Sequence, residues 1–135
     1  MRLVALNNKG LTLVEVMIAL VILLLVFLAL MQTALVSINA NMTNVLRDEA
    51  VNIAEQRMNE ARNIPFDTLA NDGPVTVTRN IRNRPNFQYE VLRTVTPVDV
   101  NNRQIDIRVR WEWKEQTIAN GNPYTHTIST ILRRQ

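Results

Sequence analysis

The stretch that decides the fold is Gly10-Leu11-Thr12-Leu13-Val14-Glu15, followed by sixteen unbroken apolar residues, Val16 to Met31. Leu11 to Met31 is 21 residues, which as a helix covers about 31 Å at about 1.5 Å per residue and matches a bilayer's hydrocarbon core. One ionisable group, Glu15, stands near the start of this segment. A carboxylate inside a membrane segment is costly, so it asks for a function and a partner.

The ten preceding residues, Met1 to Gly10, set the kind of membrane segment. A secretory signal places basic residues first, then an apolar region, then a small-residue cleavage site. Here Arg2 and Lys9 come first, and the small-residue junction Lys9-Gly10 also precedes the apolar run. Cleavage there would leave the hydrophobic segment on the mature chain. This order of parts resembles the class III signal of type IV prepilins and pseudopilins, in the string Gly-Leu-Thr-Leu-Val-Glu-Val-Met-Ile-Ala-Leu from Gly10 to Leu20. The resemblance implies a leader, residues 1–10, removed by a membrane-bound prepilin peptidase that cuts between Gly10 and Leu11 and methylates the new amine of Leu11. It also implies that Glu15 pairs with the N-terminal amine of a neighbouring pilin or pseudopilin during assembly. A plain membrane anchor would require neither Gly10 nor Glu15.

Composition suits a small tethered protein. The formal charge of +3 includes Arg2 and Lys9 of the leader, so the mature chain is almost neutral and gives no electrostatic case for a nucleic-acid partner. Cysteine is absent; stability must come from packing of the head against the helix rather than from the cystine many pilins carry. Basic residues lie before the span and then not again until Arg47, which predicts a cytoplasmic N-terminus and a periplasmic C-terminal region on a single-pass inner-membrane protein.

Beyond the span, Gln32 to Asn63 contains neither Gly nor Pro. Leu35, Ile38, Met42, Val45, Leu46, Ala50, Ile53, Met58 and Ala61 recur at helical steps and predict one apolar stripe. Residues 11–63 therefore read as one helix, with 11–34 as the transmembrane or filament-core half and 35–64 as the amphipathic half. Pro65 ends it. Thr12 and Thr33 are expected to satisfy their hydroxyls on the helix backbone. Residues 65–135 form the head. Pro65 to Pro74 reads as a connector with a turn at Asn71-Asp72-Gly73-Pro74. Four strands follow: Val75–Arg79, Asn86–Thr96 with Phe87, Tyr89, Val91 and Val95 on one face, Gln104–Lys114 with Ile105, Ile107, Val109, Trp111 and Trp113 inward, and Tyr124–Arg133. The expected fold class is α+β: a long N-terminal helix, apolar in its first half, whose second half lies on a four-stranded antiparallel sheet. That is also the type IV pilin-like architecture the N-terminal resemblance implies.

The remaining residue clusters point away from catalysis. His126 is the one histidine, and there is no Ser-His-Asp arrangement, phosphate loop or transition-metal set. No catalytic residue, cofactor or metal is expected. Asp99, Asn101, Asn102 and Asp106 carry hard oxygens but lack the spacing of a calcium loop, and read as a hairpin turn. Trp111 and Trp113 favour the core over a carbohydrate platform. Arg79, Arg82 and Arg84 read as a solvated loop. Within the family, Arg108-Val109-Arg110-Trp111, the ending Thr130 to Gln135, and Ala54 to Pro65 look like minor pilins of the type IV pilus modification (PilV) group and the smaller minor pseudopilins of type II secretion. Major pilins carry Pro or Gly within the first helix, and this chain has no such breaker between Leu11 and Asn63. The resemblance implies a minor subunit that initiates or caps a filament. The alternatives are a type II secretion pseudopilin and an anchored ligand-binding protein that never polymerises.

Overall fold

The computed structural model describes residues 12–81 and 84–134. Its elements are one helix, α1 (Leu13–Arg62), and four strands, β1 (Asp72–Ile81), β2 (Arg84–Pro97), β3 (Asn102–Trp111) and β4 (Tyr124–Arg133). The strands make one antiparallel sheet in the order β1-β2-β3-β4. The fold is the expected α+β, pilin-like arrangement of a long N-terminal helix and a four-stranded antiparallel sheet. It divides into two compact units, Met1–Asn41 and Met42–Gln135.

In the second unit α1 buries Leu46, Ala50, Ile53, Ala54, Met58 and Ala61. Their spacing by three, four or one puts them on one face, and three alanines let the helix approach the sheet closely. The sheet answers with Val77, Tyr89, Val91, Ile105, Ile107, Val109 and Trp111. Full burial of each Leu or Ile here contributes about 1.5–3 kcal/mol. From the expected stripe, Met42 is partly buried, whereas Leu35 and Ile38 are 59% and 64% exposed. The helix ends as Pro65 requires: Asn63 N–H and Ile64 N–H bond back to Glu60 and Ala61 in a tightened last turn.

Polar clasps fix helix and connector to the sheet. The Tyr89 hydroxyl donates to the Leu46 carbonyl at 3.0 Å in the core. Burial, with the Glu49 carboxylate adding to it, pushes this hydroxyl well above the ordinary tyrosine range. Arg79 pairs with Glu49 at 2.9 Å and donates to Gln56, and Arg62 reaches Thr130 on β4. Arg103 Nη1 donates to the carbonyls of Phe66 and Leu69 while its guanidinium lies 4.4 Å from the centre of the Phe66 ring.

Three of the four strands have limits that differ from the expected ones. The supposed turn at Asp72-Gly73-Pro74 belongs to β1, where a register shift between Asp72 and Val75 absorbs Gly73 in a positive-φ conformation. The stretch Arg79 to Asn86 is not an open loop: β1 runs to Ile81 and β2 starts at Arg84, and these two residues pair. β3 stops at Trp111 instead of Lys114, because Trp113 and Gln116 exchange backbone hydrogen bonds around a turn in which Lys114 takes φ 56°. Trp113 is half-buried beneath the Arg84 guanidinium.

Candidate functional site

The residues singled out by sequence lie at the start of α1. Thr12 precedes the first helical residue, and its carbonyl accepts the first helical bond, from Val16 N–H at 3.2 Å. Its hydroxyl accepts from Glu15 N–H at 3.2 Å. Glu15 Oε2 in return accepts from Thr12 N–H at 2.9 Å and from the Thr12 hydroxyl at 3.1 Å. This is a reciprocal capping box, Thr-x-x-Glu, which satisfies backbone donors that a helix start otherwise leaves open. The sequence carried that signal at Thr12 and Glu15 before an apolar run, and reading Thr12 only as a hydroxyl on the backbone missed it. Thr33 behaves as expected, donating to the Ala29 carbonyl at 3.0 Å.

The carboxylate thus sits at the positive end of a helix, held by local donors and otherwise exposed. From Leu13 through Ile38 every apolar side chain is exposed in the single chain. Among the described residues α1 is the one helix long and apolar enough to cross a membrane. Such a surface cannot stay in water; a bilayer or other helices must cover it. Gly10 and Leu11, the expected cleavage pair, lie outside the described residues.

Residues 5–31 match the prokaryotic N-terminal methylation motif.

The matched segment contains Gly10, Leu11, Thr12, Glu15 and the apolar run to Met31. No curated protein and no solved structure matches the chain. The motif and the exposed apolar helix together support a type IV pilin-like protein: membrane-anchored, a substrate of prepilin peptidase and assembled with other pilins.

The head's other candidate residues are engaged locally. Asp99 accepts from Asn101 N–H and from the Asn102 side chain, and the Asn102 bond is the main cause that holds its carboxyl below the usual range. Asp106 faces the Ser129 hydroxyl and Gln104 instead, which lower its pKa in that order. The structure does not gather Asp99 and Asp106 into one ligand set. Arg79 is tied to Glu49, Arg84 covers Trp113, and Arg82 lies outside the described residues. Trp111 is 3% exposed and stacks on Tyr124 with ring centres 5.6 Å apart, a core position as expected. A cavity of about 620 Å³ opens beside Thr76, Gln88, Glu90, Arg110, Glu112 and Ile118. Within it Glu90 and Arg110 pair at 2.9 Å, and Glu90 Oε2 and Arg110 Nε have no hydrogen-bond partner among the described residues.

Proposed function

We propose that this chain is a minor subunit of a type IV pilus or of a related pseudopilus, and that its role is structural. Prepilin peptidase cuts between Gly10 and Leu11 and methylates the Leu11 amine. The N-terminus then faces the cytoplasm and the head lies on the outer side of the inner membrane, until the subunit enters the filament. The observation that carries this reading is the motif over residues 5–31 placed at the head of an exposed apolar helix.

The helix supplies cohesion and Glu15 supplies alignment. Apolar flanks bury one another without directional preference once the helices leave lipid. An unpaired carboxylate in that low-dielectric bundle is penalised, so the arrangement that brings a neighbour's methylated amine to Glu15 is selected over slipped ones. The capping box holds the carboxylate near the helix axis before a neighbour arrives, because Thr12 keeps one oxygen occupied. The unbroken helix, with no Pro or Gly between Leu11 and Pro65, supports a minor subunit of the pilus modification kind or a small type II secretion pseudopilin over a bulk fibre subunit. Glu15→Leu should insert in the membrane normally yet fail to co-purify with the filament. Equal co-purification of variant and wild type would refute the role of Glu15. A second reading, an anchored ligand-binding protein that does not polymerise, has the cavity near Glu90 and Arg110 in its favour; it requires Glu15→Leu to be silent.

A further inference from the structure

A cavity of about 390 Å³ opens where the last turn of α1, the connector and the end of β4 meet. Its inner side is apolar, since Ile64, Phe66 and Leu132 are half-buried there. Its rim is cationic, with Arg62, Arg133 and Arg134 all exposed. Arg103 adds a fourth guanidinium, 4.4 Å from the centre of the Phe66 ring, and that of Arg134 lies 5.7 Å from the same ring. Few carboxylates answer these charges. Asp67 pairs with Arg134 at 3.0 Å. Asp99 shares a neighbouring cavity with Arg133, but its oxygens accept from Asn101 and Asn102. Arg62 donates to the Thr130 hydroxyl and Arg103 to the carbonyls of Phe66 and Leu69, so both hold neutral partners. The Arg133 side chain has no hydrogen bond or ion pair among the described residues. Among those residues four guanidinium groups thus stand against two carboxylates, on a chain whose mature charge is close to zero. The helix end accounts for Arg62, because a cation is favoured in a last turn. It does not account for Arg133.

We propose that this cleft binds the phosphate headgroup of an anionic lipid. The rim offers donors and positive charge, which selects an anion. It is built of arginine, whose planar fork matches the oxygens of a phosphate or a carboxylate. The apolar side narrows the choice. A bare inorganic anion would leave Ile64, Phe66 and Leu132 in water, whereas a phospholipid joins its charge to acyl chains within a few bonds. An acidic peptide carries its carboxylates on a polar backbone, which those three side chains suit less well. Arg62 and Arg133 are the phosphate donors, because Arg134 is committed to Asp67 and Arg103 to backbone carbonyls. Phe66 and Leu132 meet the first methylenes of the chains, and each methylene covered adds to affinity. The cavity has room for a headgroup and the start of its chains, not for a whole lipid. All of these residues lie between Arg62 and Arg134, in one compact unit, so the site does not depend on how the chain assembles.

Nuclear magnetic resonance of the full chain, purified from membranes into a non-ionic detergent with isotope-labelled arginine, tests this locally. The arginine Nε–H signals are assigned with single Arg→Gln variants. Dihexanoyl phosphatidylglycerol is then titrated beside dihexanoyl phosphatidylcholine, inorganic phosphate and hexaglutamate at equal concentrations. The expected result is a saturable shift of the Arg62 and Arg133 signals with phosphatidylglycerol, and none at Arg108, an exposed arginine within β3. Arg133→Gln removes no bond of the head and should weaken the response read at Arg62 about fivefold, the share one arginine contributes at an anionic lipid surface. Absence of a shift at Arg62 and Arg133 overturns the proposal. So does an equal response to phosphatidylcholine, which would report chains alone, or to inorganic phosphate, which would report an anion site without a lipid. Tighter binding of hexaglutamate also overturns it, and assigns the cleft to an acidic protein segment.

Discussion

Tyr89→Phe isolates one bond between helix and sheet. Tyr89 is fully buried and donates at 3.0 Å to the carbonyl of Leu46. That carbonyl lies inside α1 and keeps its helical partner when the hydroxyl goes, so no acceptor is orphaned. The cost at neutral pH is then that of one neutral hydrogen bond, about 1 kcal/mol. Alkali reverses the ranking. The native hydroxyl holds its proton far above the ordinary tyrosine range, mainly through burial, whereas the unfolded chain releases it near pH 10. The stabilisation is complete below about pH 10 and is lost as pH rises beyond it, with a limiting slope of about 1.4 kcal/mol per pH unit for one proton. Tyr89→Phe lacks this titration, so its disadvantage should shrink from pH 10 upward and become an advantage. Denaturant unfolding in detergent can follow Trp111, whose ring centre lies 6.0 Å from that of Tyr89. A loss above about 3 kcal/mol at pH 7.5 would mean that the hydroxyl organises more than one bond. Identical alkaline slopes for variant and wild type would refute the argument from burial.

Two further substitutions probe the connector and the bulge. Arg103→Met removes a charged donor from the Phe66 and Leu69 carbonyls and should cost about 2–4 kcal/mol by denaturant unfolding; Arg103→Lys should recover only part, since an ammonium lacks the planar fork that also lies over Phe66. Gly73→Ala places a Cβ 2.6 Å from the Val91 carbonyl oxygen at φ 100°, and a loss of about 1–3 kcal/mol is expected from the backbone strain; an unchanged midpoint would mean that the bulge relaxes freely.

The helix was legible because a 3.6-residue period persists from Gln32 to Ala61 and Pro65 stops it. Ala54 escaped the predicted stripe because an alanine beside Ile53 carries little periodic signal, yet its small side chain is what close packing on the sheet needs. β2 and β3 showed their inward faces by alternation, Tyr89 and Val91 in one and Ile105 to Trp111 in the other. The limits of β1 were obscured by Gly73-Pro74, a turn signal that the chain uses as a bulge within a strand. Trp113 continued the alternation of β3 in sequence, but the backbone exchange with Gln116 ends the strand first. At the candidate site Glu15 stood out as a charge in an apolar run, while its bond to Thr12 needed the capping-box spacing to be read. The clasps of Arg103 and Arg79 were not legible, because they join residues 34 or 37 and 30 positions apart.

The central claim is that this chain is a processed assembly subunit, and intact mass with N-terminal fragmentation of the protein from its native membrane tests it most directly. The account predicts a chain that begins at Leu11 and carries one added methyl group. A chain still beginning at Met1, in cells whose other prepilins are processed, would contradict it.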